Sequence, residues 1–149
     1  MTPNEKGLLL WLIKNSETQG WSLGTLADTF LYGTLTFDTL ESLINQGLIR
    51  KNVIRGVTHY FPTSLGTVTY QPLTQDEFCR FMLDNEHLDV ESRLDSKDAF
   101  LLCDPIDLKE LLKNGLLDGQ SRWNMGDMDT AIPHFLWLTE QGINLSETI

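Results

Sequence analysis

The sequence has few cysteines and no long apolar run, and each of these gaps excludes a class of protein. Two cysteines among 149 residues cannot build a disulfide framework, so we expect Cys79 and Cys103 to be reduced and buried. The longest apolar run, Leu8 to Ile13, is much shorter than the ~20 residues that cross a bilayer. Residues 1–5 contain none of the basic residues that begin a signal peptide. We therefore expect a cytoplasmic protein that makes no contact with a membrane.

The sequence also lacks the motifs of catalysis and of cofactor binding. It has no glycine-rich phosphate loop, no His-Glu-x-x-His and no nucleophile elbow. Its cysteines and histidines match no zinc spacing. An EF-hand loop beginning at Asp84 would place Asp89 where a glycine is required. We therefore expect no enzymatic activity, no metal site and no cofactor.

The excess of acidic over basic residues lies in the second half of the chain. Residues 1–70 contain five basic and five acidic residues, whereas residues 71–149 contain six basic and sixteen acidic residues. The formal net charge of −10 therefore belongs entirely to residues 71–149. An acidic surface repels nucleic acid and attracts basic proteins, so the two halves are expected to have different partners.

Apolar spacing in the first half predicts helices followed by a β-hairpin. The expected elements are a helix over 5–16, a second helix from Ser22 through Leu31, a third from Thr36 to Gly47, and strands over Leu48–Ile54 and Val57–Phe61. One face of the third helix is expected to contain Phe37, Leu40, Leu43 and Ile44. Gly47 should end that helix with a positive φ. Because Leu8 to Ile13 is apolar on most sides, the first helix is expected to pack on the other half or on a second copy in a homodimer.

Residues 40–51, Leu-Glu-Ser-Leu-Ile-Asn-Gln-Gly-Leu-Ile-Arg-Lys, resemble the end of the recognition helix and the start of the wing in MarR-like winged helix-turn-helix regulators. In that family the wing returns through an aromatic strand to Thr-x-x-Gly, and residues 60–66 here read Tyr-Phe-Pro-Thr-Ser-Leu-Gly. The resemblance covers residues 5–66. It implies a winged-helix fold and a role in transcriptional regulation.

The second half repeats this signature. Leu40, Leu43, Gly47 and Leu48 recur at an offset of 68, and Thr63 and Gly66 recur at an offset of 76. We therefore predict a helix-rich α+β protein with two tandem winged-helix modules, each with three helices and a β-hairpin wing. The modules would occupy 1–70 and 71–149, the second being acidic and having a longer wing. The alternative is two unrelated α+β halves that share a helix-to-strand pattern.

The resemblance places the third helix in the major groove of DNA and the wing along the backbone. The DNA contacts that it implies are Thr36, Thr39, Arg50, Lys51 and Arg55. The helix itself offers no Arg or Lys between Thr34 and Glu41. The basic residues of the wing could equally serve the solubility of an exposed hairpin.

Candidate protein contacts lie in the acidic half. They are Asp84, Glu86, Asp89, Glu91 and Trp123, the last as an aromatic interface anchor. The alternatives are a solvated acidic face for the carboxylates and ordinary core packing for Trp123.

Two functions follow from these features. The first is a regulator-like protein that contacts duplex DNA weakly through its first wing and binds protein through its acidic half. The second is an acidic interaction protein that binds a basic protein partner and no DNA, mimicking nucleic acid as some phage-encoded inhibitors do. Analogy of fold favours the first function, and the charge distribution favours the second.

Overall fold

The computed structural model describes residues 1–15, 20–27, 37–121 and 132–148. The chain divides into two compact units, Met1–Gln71 and Pro72–Ile149, which we call the N-terminal and C-terminal units. About half of the described residues are helical, and each unit contains a small antiparallel sheet. The expected α+β class is therefore confirmed. None of the helices in these ranges has the length and apolar character needed to cross a membrane.

The N-terminal unit builds an antiparallel sheet between helices. Its described elements are α1 (Pro3–Lys14), β1 (Trp21–Ser22), α2 (Leu23–Ala27), α3 (Phe37–Asn45), β2 (Ile49–Ile54), β3 (Val57–Pro62) and α4 (Ser64–Thr69). The strand order is β1-β3-β2, so β2 lies at an edge of the sheet. The expected continuation of α2 to Leu31 and the expected cap Thr36 lie outside the described residues.

The core of this unit forms around α1. Thr2 caps the helix by accepting a hydrogen bond from the backbone N–H of Glu5, and Pro3 begins it. The side chains from Leu8 to Leu12 are buried, and α1 packs on α3 and β3. Because α1 is buried on several sides, its apolar residues are not restricted to one face of the helix.

The sequence pattern correctly assigns Leu40 and Leu43 of α3 to the core, but it is wrong for Phe37. Both leucines are fully buried, whereas Phe37 is 64% exposed. Phe37 is the first residue of α3, one turn before Leu40. Its ring faces an open groove at this end of the helix, so helical spacing alone does not bury it.

The C-terminal unit has the same order of elements. They are α5 (Gln75–Asp84), β4 (Leu94–Asp95), α6 (Ser96–Leu102), α7 (Pro105–Lys113), β5 (Leu117–Gln120), β6 (Phe135–Leu138) and α8 (Glu140–Ser146). The strand order, β4-β6-β5, also repeats that of the N-terminal unit. The two halves of the chain are thus two copies of one arrangement of elements.

A compact set of contacts joins the two ends of the hairpin of the N-terminal unit, where α3 leads into β2 and β3 leads into α4. Gly47 ends the helical run with φ +74°, as expected. The hydroxyl of Thr63 donates to the carbonyl of Gly47 at 2.6 Å and accepts from the N–H of Gly66 at 3.0 Å. A Cβ on Gly66 would overlap the carbonyl oxygen of Leu48. We call Gly47, Leu48, Thr63 and Gly66 the threonine–glycine clasp.

The C-terminal unit repeats the clasp atom for atom. Gly115, the counterpart of Gly47 at the offset of 68, has φ +75°. The hydroxyl of Thr139 donates to the carbonyl of Gly115 at 2.6 Å and accepts from the N–H of Gly142 at 3.1 Å. A Cβ on Gly142 would overlap the carbonyl oxygen of Leu116. The repeat noticed in the sequence therefore corresponds to a repeated set of hydrogen bonds and close backbone contacts.

The expected inventory of three helices and a hairpin for each half is incomplete. In the described residues each unit has an additional short strand, β1 or β4, and an additional helix after the hairpin, α4 or α8. Helix α4 begins at the clasp with Thr63 as its N-cap, and α8 begins at the equivalent contacts with Thr139 as its N-cap. The short strands extend over only two residues each, too few to give a period in the sequence.

Candidate functional site

An open groove lies on the N-terminal unit between the first turn of α3 and one face of the sheet. Its volume is about 850 Å³, and its walls include Phe37 and Glu41 of α3, Lys51 and Val53 of β2, and Val57 and Tyr60 of β3. We call this feature the α3–sheet groove. It lies between a helix and a hairpin, the two elements that the sequence resemblance associates with DNA.

The walls of the groove expose large apolar side chains. Phe37 is 64% exposed and Val53 is 65% exposed. Val57 borders the groove, but it pairs with Ile54, so its side chain belongs to the other face of the sheet. Isolated exposed apolar residues are common on protein surfaces, whereas apolar side chains that share one concavity form a local apolar surface. The groove therefore offers apolar side chains to a molecule that enters it.

The positive charge in the groove is offset by a neighbouring carboxylate. Lys51 Nζ lies 3.5 Å from Glu41 Oε1, and both side chains are about half exposed. A pair this exposed contributes little to stability. The Glu41 carboxylate nevertheless offsets the positive charge that Lys51 would otherwise present to a ligand in the groove. Lys51 is the one basic side chain among the described residues that line the groove.

The three basic residues predicted to contact phosphates do not form one patch. Arg50 pairs with Phe61 and Lys51 pairs with Tyr60 in the β2–β3 ladder, and neighbouring residues of a strand point to opposite faces of a sheet. The guanidinium of Arg50 lies 4.3 Å from the centre of the Phe61 ring, on the face opposite Lys51. Arg55 lies at the tip of the hairpin.

The tip of the hairpin is a tight two-residue turn. Arg55 and Gly56 have φ values of +51° and +78°, as a type I′ turn requires. Of the residues predicted to face bases, Thr39 is half-buried in α3, and Thr36 lies outside the described ranges.

The predicted protein contacts of the C-terminal unit have varied surroundings. Asp84 forms an ion pair with Arg80 at 3.1 Å. Asp89 accepts hydrogen bonds from the backbone N–H groups of Glu91 and Ser92 and from the Ser92 hydroxyl. The bonds from Ser92 lower the pKa of Asp89 below its ordinary value. Asp89 thus organises a surface loop.

The other predicted contacts of this unit can be placed only in part. Glu86 and Glu91 are exposed, and Glu86 adopts φ +60° just after α5. Trp123 lies outside the described residues.

The chemistry of the α3–sheet groove does not recur in the C-terminal unit. At the same offsets Arg50 is replaced by Asp118, Lys51 by Gly119 and Glu41 by Lys109. Asp118 pairs across the hairpin with Trp137, as Arg50 pairs with Phe61. The repeat therefore preserves the arrangement of strands and replaces basic side chains of the hairpin by Asp118 and Gly119.

The two cysteine thiols are buried and take no part in the exposed surfaces described above. Cys79 and Cys103 are free and buried in the C-terminal unit, as expected. Burial raises the pKa of each thiol to about 12. Both remain protonated at neutral pH and are poor nucleophiles or metal ligands in that form.

Sequence reasoning misses the apolar walls of the groove. Helical spacing assigns Phe37 to the core, and Val53 resembles an ordinary strand residue. The exposure of four consecutive residues of β2, from Arg50 to Val53, becomes evident only from the position of that strand at the sheet edge.

Comparison with protein-family models, curated proteins and solved structures gives no match to this chain.

Proposed function

We propose that this chain is a tandem winged-helix interaction protein, and that its α3–sheet groove binds a protein partner instead of duplex DNA. The order helix, strand, helix, helix, strand, strand occurs in both units and supports the winged-helix assignment. The sequence resemblance over residues 5–66 supports the same assignment. A fold of this kind does not determine a function, so the function depends on the chemistry of the groove.

The single observation that carries this proposal is the chemistry of the groove walls. A winged helix that reads DNA places its helix and wing on a polyanion, and the affinity depends on cations aimed at phosphates. Here the walls combine the exposed side chains of Phe37 and Val53 with a lysine that lies beside Glu41. Such walls favour burial of apolar side chains of a protein.

The charge of the remaining chain supports the same function. The C-terminal unit carries the whole net charge of −10, and its field opposes the approach of a nucleic acid within roughly a Debye length of about 10 Å. The same field attracts basic protein surfaces. We therefore propose two protein-binding surfaces, the apolar groove and the acidic C-terminal unit.

A photo-crosslinker placed in the groove tests this function directly. Phe37 is replaced by the photoreactive residue benzoylphenylalanine in the full chain, and native cells are irradiated. Val68, which is 78% exposed on α4 and does not line the groove, is replaced in a matched control. The expected adduct at position 37 resists nuclease, is digested by protease and is absent from the control. An adduct that nuclease removes would contradict the proposal.

A further inference from the structure

The outer edge of β2 borders the α3–sheet groove. Within the described ranges β2 pairs only with β3, because it is the last strand in the order β1-β3-β2. Four consecutive residues of β2, 50–53, are exposed. A free strand edge offers N–H and C=O groups to an incoming strand.

The register identifies which backbone groups point outward. Because Arg55 and Gly56 form a two-residue turn, Ile54 and Val57 make a hydrogen-bonded pair, and such pairs alternate along an antiparallel ladder. The hydrogen bond of 3.0 Å from Thr63 N–H to the carbonyl of Leu48 fits this alternation. Even-numbered residues of β2 therefore bond to β3.

The odd-numbered residues Lys51 and Val53 consequently direct their N–H and C=O groups away from β3. Their side chains lie on the face of the sheet that forms the groove. One pair of residues thus supplies both the free backbone groups and part of the groove wall. A strand that pairs with this edge would place every second side chain beside Val53 and the neighbouring Phe37.

The charge around β2 indicates the chemistry of the remaining side chains of an added strand, those on the face opposite the groove. No acidic residue occurs between Gln46 and Gln75, whereas this stretch contains Arg50, Lys51 and Arg55. Arg50 lies on the face opposite the groove, where the alternate side chains of an added strand would lie. Acidic side chains at those positions would complement it.

Resting on the proposed protein-binding function, we infer that the N-terminal unit captures an extended segment of its partner as an additional strand on β2. The segment alternates apolar side chains, which enter the α3–sheet groove, with acidic side chains, which face Arg50. Backbone hydrogen bonds to Lys51 and Val53 supply general affinity, and the groove selects the apolar side chains.

The test uses an eight-residue peptide of alternating aspartate and valine, blocked at both ends. It is titrated into the full chain labelled with ¹⁵N, and backbone amide shifts are followed. We expect saturable shifts at Lys51 and Val53. Two N-methylated isomers of the peptide, methylated on the valine or on the aspartate amides, keep every side chain. Only one isomer should lose binding, the valine-methylated one if the added strand is antiparallel.

A matched pair of variants tests the same edge on the protein. Val53→Pro removes an outward N–H without removing a hydrogen bond to β3 and should weaken binding at least tenfold. Val53→Ala keeps the N–H and should weaken binding only severalfold. Absence of any shift, or equal binding by the parent and both methylated peptides, would overturn the inference. The peptide isomers decide the question even if Val53→Pro does not fold.

Two further readouts separate this inference from its alternatives. If the peptide does not bind but benzoylphenylalanine at position 37 crosslinks to protein, strand addition is wrong and the proposed function stands. If that crosslink is to nucleic acid, the proposed function itself is wrong. A wild-type dimer by light scattering that Val53→Pro converts to a monomer would overturn the inference in favour of self-association.

Discussion

Gly66 is required because the first turn of α4 meets the backbone of Leu48, between α3 and β2, at close distance. Gly66→Ala should lower the free energy of unfolding by about 3 kcal/mol, since the new Cβ would meet the carbonyl oxygen of Leu48. Gly142→Ala should have a similar effect through Leu116. Urea unfolding of each variant measures the change.

Gly24 provides the matched control for these substitutions. It lies near the start of α2, and beyond its chain neighbours and the backbone of its own helix no atom of the described residues lies within 4 Å of the position that a Cβ would occupy there. Gly24→Ala should therefore stabilise the chain by up to about 1 kcal/mol, as expected for alanine in a helix. Equal losses at Gly24 and Gly66 would show that the clasp has no special steric requirement.

Asp98 predicts a pH dependence of stability. Burial, together with the nearby Asp95, raises the pKa of Asp98 to about 6 from its ordinary value of 3.8. The folded state therefore holds this proton more tightly than the unfolded state, and the associated stability is lost as pH rises from about 4 through 6.

Asp98→Asn removes the cost of ionising this carboxyl group in the folded chain. At pH 7.5 the variant should be more stable than the wild type by about 1 kcal/mol, discounted because the side chain is only half-buried. That advantage should shrink at pH 5.2. Glu110→Gln, at an exposed position of α7, controls for the loss of one negative charge. A constant difference across this pH range would contradict the assignment.

The position of β2 at the sheet edge predicts an alternating pattern of amide exchange. Lys51 and Val53 direct their N–H groups to solvent, whereas Arg50, Asn52 and Ile54 bond to β3. Hydrogen exchange followed by NMR should therefore be faster at the two odd-numbered residues by at least tenfold. Uniform protection along β2 would mean that its outer edge is already covered.

Helix α3 shows which features the periodicity of apolar residues can predict and which it cannot. The buried positions Leu40 and Leu43 and the terminating Gly47 were all predictable, since each depends on spacing or on a local backbone conformation. The exposure of Phe37 was not, because it depends on what lies across from the first turn. The sheet face there has an open groove instead of a packed neighbour.

The repeat of the chain was predictable for a related reason. Glycines and threonines at the clasp have no substitutes of the same size and hydrogen bonding, so they remain recognisable at Thr139 and Gly142. The surface residues are not constrained by such close contacts, and Arg50 corresponds to Asp118.

The ion pair between Lys51 and Glu41 joins residues on different elements, and the local sequence pattern does not reveal it.

The central claim for the chain as a whole is that its N-terminal unit binds protein and not duplex DNA. The most direct test is a fluorescence titration of a labelled 20-base-pair duplex with the full chain at about 50 mM salt, where phosphate contacts are strong. The account predicts no saturable binding. Saturable binding with a slope of log K against log salt near −2.7, lost in the triple variant R50E/K51E/R55E, would contradict it, because about three phosphates would then be neutralised.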